Sequence, residues 1–205
     1  MRKLLLLLLV MFVSVLCTAC INNIAIQELN NKAKEYLEKG DNANAICRLE
    51  SSVDLDANVL ETRYNLGVAY INDEQYELAE THLLQAIKLN PQFADAYFSL
   101  AVAQENLASQ ILEPKNSDEN EIIEVEISDD TDENGVKNVS EDVARKYVMK
   151  LIEAQTAYEK YLEISKEQND EISSQIDYIK ETVQKYSDKY NLLLPLSEKY
   201  VQIAD

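Results

Sequence analysis

The chain has 205 residues and a formal charge of −18, with 37 acidic against 19 basic groups. An excess of that size disfavours long-range attraction to nucleic acid or to anionic lipid headgroups. Three Gly and three Pro leave little room for a turn-rich β fold, and three Cys, two of them in the leading segment at Cys17 and Cys20, provide no disulfide framework.

The first predicted element is an export signal. Arg2 and Lys3 precede an almost continuously apolar run from Leu4 to Val15. That run is short for a bilayer span and suits a signal peptide over residues 1–19. Thr18-Ala19-Cys20 then resembles a bacterial lipobox, although Cys17 stands where that motif usually has Leu. The resemblance implies lipidation of Cys20, with residues 20–25 as a tether; ordinary cleavage and a retained anchor are the alternatives. Several acyl chains on one cysteine would anchor the protein stably. The expected address is a bacterial cell envelope, outside the cytoplasm, and the outer membrane if there are two, because Ile21 is not the Asp that holds such proteins at the inner one. Cys17 and Cys20 also read C-x-x-C, but cleavage at Cys20 would discard Cys17 and leave Cys47 alone, expected as a half-buried helix residue. The processed chain would carry 17 basic and 37 acidic groups, a charge of −20.

One constant step carries Ala33 onto Gly67 and Gly67 onto Ala101, and the same step pairs Tyr36 with Tyr70, Ala45 with Ala79 and Leu49 with Leu83. The stretch 60–93, LETRYNLGVAYINDEQYELAETHLLQAIKLNPQF, places Leu66, Gly67, Tyr70, Ala79, Leu83, Ala86 and Pro91 as the tetratricopeptide repeat does, and it resembles that family closely. The family's usual Trp is absent, with Arg63 in its place and Tyr64 beside it. Small residues let two antiparallel helices approach, and larger ones fill the seam at helical spacing. The resemblance implies an all-α fold, a right-handed superhelical solenoid of antiparallel helix pairs. It would hold about three units and a C-terminal capping helix. A degenerate first unit covers 26–59 and the second 60–93.

The third unit, 94–166, starts with a helix from Ala94 to Ala108, but its second helix is displaced: the Ala that the step from Ala79 puts at position 113 is met only at Ala154. An acidic insertion at 109–140 separates the two. The stripe Val143, Tyr147, Leu151, Ala154, Tyr158 and Leu162 predicts a helix beginning near Glu141. Ile172, Ile176, Ile179, Val183, Tyr186 and Tyr190 predict the capping helix within 167–205, followed by an apolar tail broken at Pro195.

The family resemblance implies a concave groove lined by Asn30, Lys34, Tyr64, Val68, Asn72, Phe98, Val102 and Asn106, which would hold a protein or peptide partner. A carboxylate clamp needs several basic groups, and Lys34 is the one available. An apolar or amphipathic segment suits the aromatic centre, with Asn to pair its backbone. A groove filled by the chain's own tether or insertion is the alternative.

The insertion holds ten acidic and two basic groups. EIIEVEIS alternates Ile123, Val125 and Ile127 with Glu, and Asn134-Gly135 is a turn signal, so a hairpin is one expectation and disorder another. A third is a calcium loop: Asp130, Asp132, Asn134, Gly135 and Glu141 satisfy D-x-[DN]-x-[DN]-G-x5-E, which supplies oxygen ligands to a hard cation. No helix precedes the loop, and Lys137 stands where an apolar residue is usual. No other cofactor is indicated. His82 is the single histidine, expected on an exposed or flanking helix position, and no nucleophile, zinc or phosphate-loop motif occurs. The expected function is a non-enzymatic, membrane-anchored scaffold or adaptor serving envelope, secretion or pilus assembly. A calcium-dependent adaptor is the alternative.

Overall fold

A computed structural model describes residues 22–113 and 128–193. They form seven helices and one two-stranded hairpin: α1 over 22–38, α2 Asn42–Leu55, α3 Leu60–Asn72, α4 Tyr76–Leu89, α5 Ala94–Leu112, β1 Ser128–Thr131, β2 Lys137–Asn138, α6 Glu141–Ser165 and α7 Asp170–Tyr190. Residues 22–25, expected in a tether, are helical. No described helix is long and apolar enough to cross a membrane. The chain divides after Gln75 into two compact units.

The first unit contains α1–α3. Each helix buries residues three or four apart: Ile26, Asn30 and Ala33 on α1; Ala45, Leu49 and Ser52 on α2; Thr62, Leu66, Ala69 and Tyr70 on α3. That spacing places them on one face. α1 ends in a tight turn, with Gly40 at φ +72° and the Asp41 N–H donating to Tyr36 O at 2.9 Å. The left-handed conformation favours glycine. Asp41 then caps α2 by accepting from the Asn44 N–H at 3.2 Å. The same turn recurs one repeat step later, after α3: Glu74 has φ +58°, and the Gln75 N–H donates to Tyr70 O at 2.9 Å.

In the second unit α5 packs against α4 and α6, and α6 against α7. No turn occurs at Ala108, where the next repeat step would put one. α5 runs on to Leu112, four residues past its expected end. Nothing from Ala108 to Leu112 breaks a helix, and Pro114 is the first residue that does. α6 starts at Glu141, as the apolar stripe predicts, because the Ser140 hydroxyl caps it by accepting from the Val143 N–H at 3.3 Å. Asn169 caps α7 in the same way, at 3.0 Å from the Ile172 N–H.

β1 and β2 pair antiparallel across the turn Asp132–Gly135. The Gly135 N–H donates to Asp132 O at 2.9 Å, the Asp132 N–H to Val136 O at 3.0 Å, and Gly135 takes φ +75°. A type I turn followed by a left-handed glycine is a standard three-residue hairpin loop. The hairpin expectation placed its first strand at Ile123–Ile127, which lies outside the described residues. The observed strand begins at Ser128.

Candidate functional site

The residues expected to line a groove fall in both units. In the first, Asn30 is a core residue, 2% exposed, which corrects its assignment to the groove. Its amide donates to Ile26 O at 3.0 Å, Ser52 Oγ at 3.2 Å and Thr62 Oγ1 at 2.8 Å, and Ser52 and Thr62 bond each other at 3.0 Å. A buried polar side chain needs such partners, and they leave it none for a ligand. Lys34 is exposed but pairs with Glu61 at 2.5 Å, so the one basic groove position is neutralised locally. Tyr64 and Val68 are half-buried, and Asn72 is exposed, with its carbonyl accepting from the Asn42 amide at 2.9 Å.

In the second unit Phe98 stands on α5, 39% exposed, a large apolar surface left open to solvent. Its ring centroid lies 5.5 Å from Tyr161 and 6.0 Å from Tyr158, both of α6, the latter edge-on. Val102 and Asn106 follow one and two turns later, both half-buried. The Asn106 amide donates back to Val102 O at 2.8 Å, which anchors it on its own helix.

The sequence reading missed the groups beneath this surface. The Glu105 carboxylate accepts from the Tyr158 hydroxyl at 3.0 Å and from the Gln175 amide, so it ties α5 to α6 and α7. Burial, with Glu105 adding to it, pushes the Tyr158 phenol well above its usual value. Tyr147, its ring tilted against Tyr186 at 4.7 Å, is raised mainly by burial too. In the first unit burial, with a hydrogen bond to Glu50, raises Tyr70 to about 12. Lys150 bridges α6 to α4. Burial pulls its ammonium down, but Glu153 at 2.6 Å and Glu80 at 3.1 Å outweigh that and raise it. The signal available for Glu105 was its position between Val102 and Asn106 on a helix otherwise rich in Ala and Leu.

The loop proposed for calcium is organised around a different cation. Lys189 of α7 places its ammonium 3.1 Å from Asp132 Oδ2, 2.9 Å from Val136 O and 3.3 Å from Lys137 O. Asp132 Oδ1 accepts from the N–H groups of Asn134 and Val136, both at 2.9 Å. The Val136 amide first, then Lys189 and the Asn134 amide, hold the Asp132 carboxyl below its usual range against an opposing desolvation. Asn134 is exposed at the turn, and Glu141 lies in the first turn of α6, paired with Arg145 at 2.6 Å. Asp130 belongs to β1, and its side chain lies outside the described residues. No three carboxylate, His or Cys groups converge among the described residues. Within the described part of this loop the oxygens of Asp132 already serve an Asx-type turn and a lysine.

This hairpin is clamped at several points. Val136 is 2% exposed, the Tyr186 hydroxyl accepts from the Lys137 N–H at 3.2 Å, and Tyr190 accepts from the Val139 N–H at 2.9 Å while donating to Lys137 O at 2.7 Å. Lys137 reaches Glu113 at the end of α5, at 2.6 Å, and holds that carboxyl below its usual range. An open polar cleft of about 420 Å³ remains between Asp132, Asn134 and Lys185, Asp188 and Lys189. His82 is half-buried, and Cys47 is exposed where a half-buried position was expected. Cys20 lies outside the described residues.

Comparison with known proteins places this geometry. Residues 60–93 match the model of the tetratricopeptide repeat. The first such domain of Spaghetti (RPAP3), bound to the HSP90 peptide SRMEEVD, is similar at TM-score 0.54 and 19% identity, over 78% of this chain and 93% of that one. The second domain of human RPAP3, in complex with the HSP70 peptide SGPTIEEVD, gives 0.52 and 17%, over 78% and 98%. The Sgt2 domain from Aspergillus fumigatus gives 0.52 and 14%, over 85% and 87%. No curated protein sequence matches the chain. The chain thus carries one tetratricopeptide repeat that its sequence alone reveals, within an all-helical tetratricopeptide fold of seven helices.

Proposed function

We propose that this protein is a non-catalytic scaffold that holds a partner protein segment on its tetratricopeptide surface, tethered to a bacterial envelope membrane through a lipid on Cys20. The observation that carries the reading is Phe98, open to solvent on a tyrosine platform at a family groove position. Exposed aromatic anchors of that size are what partner interfaces use. The fold is shared with domains whose solved complexes contain HSP90 and HSP70 peptides. Those peptides end in EEVD, and their acidic ends would be repelled by a chain of charge −18 whose Lys34 is already paired.

The test is photo-cross-linking in the native membranes, with a photoreactive residue at position 64 or 98. Each position reports on its own unit, and a partner should be captured at position 98. Capture should disappear in the Tyr64→Ala/Phe98→Ala double variant, while the circular dichroism of that variant stays helical. A Cys20→Ala chain should leave the membrane fraction. Capture that survives the double variant removes this surface from the account.

A further inference from the structure

We infer that the partner segment carries arginine, and that the second unit holds it between the Phe98–Tyr161 rings and a rim of carboxylates. This deepens the scaffold reading and rests on it. Asp95, Phe98 and Val102 lie three and four residues apart on α5, so they share one face. Tyr161 and Glu167 close the other side: the Tyr161 hydroxyl lies 3.5 Å from Glu167 Oε2. Asp95 and Glu167 both act on that phenol electrostatically. Lys160 is itself paired with Glu163 at 2.9 Å, so its charge is offset locally. The rim therefore keeps a net negative charge around an open aromatic surface.

Three kinds of group could cover such a patch. A purely apolar side chain would satisfy the rings but strip water from the carboxylates without replacing it. A guanidinium satisfies both. Its flat face stacks on an aromatic ring, and its edge pairs with carboxylates in a fixed fork. A lysine ammonium supplies the charge without the plane and is more strongly hydrated. The patch is open rather than enclosed, which suits a side chain delivered on an extended or helical segment.

The test uses three short peptides of equal length and identical leucine pattern, with Arg, Lys or Glu at all other positions. Binding to the full chain in non-ionic detergent is followed by fluorescence anisotropy at physiological salt. The Arg peptide should bind tightest, the Lys peptide roughly threefold more weakly, and the Glu peptide at least about a hundredfold more weakly. Asp95→Asn with Glu167→Gln, a surface change that spares the fold, should weaken the Arg peptide about tenfold. Phe98→Ala should do the same. Asp177→Asn with Glu181→Gln, exposed on α7, should change it less than about twofold. Equal losses from the two charge pairs would mean bulk attraction and overturn the inference, as would equal binding of the Arg and Lys peptides. Cross-linking separates this from the scaffold reading. A partner captured at Phe98 through a segment without arginine leaves the scaffold standing and removes the arginine; no capture at Phe98 with the peptide result intact does the reverse.

Discussion

The two units of this chain hold their helices together by different means. In α1–α3 two helices end in the same left-handed turn, at Gly40 and at Glu74, and the buried Asn30 amide, shared among three helices, works beside the Tyr70–Glu50 bond and the Lys34–Glu61 pair. In the second unit the corresponding turn is absent at Ala108, α5 overruns, and phenols, paired charges and a hairpin do the fastening. The contrast teaches what an insertion costs a repeat. When the second helix is postponed, local turn bonds cannot position it, and contacts distant in sequence must. Tyr158 reaches back to Glu105, and Lys189 reaches back just as far to Val136.

The largest expected effect lies in the first unit. Asn30→Ala removes a donor from Ser52 and Thr62 inside a closed core, although those two hydroxyls can still bond each other at 3.0 Å. The expected loss is about 2 kcal/mol. Thermal unfolding should fall by roughly 4–8 °C on that account. Partner capture should be unchanged once the fold is restored at lower temperature, because the side chain is buried away from the surface. A variant of wild-type stability that loses capture would return Asn30 to the groove and erase the contrast.

The sequence announced much of this arrangement, and its omissions have identifiable causes. The constant step from Ala33 to Gly67 to Ala101 and the small residues Gly67 and Ala79 pointed to paired helices, and Ser140 and Asn169 cap α6 and α7 by ordinary chemistry. Asn30 was misplaced because a repeat register assigns faces without weighing neighbours. Ser52 on the stripe Ala45–Leu49 and Thr62 on the stripe Leu66–Tyr70 were the signal that a polar group is matched inside. The loop at 130–141 satisfied a ligand pattern that the hairpin uses for its own turn, and no local pattern reveals that Lys189 will arrive from α7. Phe98 was legible as a position, but its tyrosine platform, built from α6 on the far side of the insertion, was not.

A smaller effect should follow from releasing the hairpin. Lys189→Met keeps most of the apolar stem and removes the ammonium from Asp132, Val136 O and Lys137 O. A charge-assisted contact of this partly exposed kind is screened by solvent, so its loss should loosen the turn without unfolding the unit. Hydrogen exchange should accelerate at Asp132 and Val136, whose N–H groups close the turn, while the amides of α1–α3 keep their wild-type rates. If exchange in α1–α3 accelerates equally, the hairpin is not a fastening of the second unit alone, and the two regions are one cooperative body.

The smallest expected effect sharpens the same point by acid. The Asp132 carboxyl titrates below its ordinary value because the Val136 and Asn134 amides and Lys189 favour the charged form. A depressed folded value means that the folded state binds fewer protons than the unfolded chain within that interval. The carboxylate's contribution to the hairpin is therefore complete above the unfolded value, about 3.9. It is lost as the pH falls through the folded one. Glu113, held down by Lys137, titrates in the same direction, so the wild type alone cannot isolate Asp132. Asp132→Asn can. Its amide oxygen still accepts from the turn but has no proton to gain. In acid the Val136 amide should lose protection in the wild type beyond any loss in the variant, and the two should run parallel above pH of about 5. Parallel curves throughout would mean that Lys189 is held by the backbone oxygens Val136 O and Lys137 O alone, so that the latch works through geometry rather than charge.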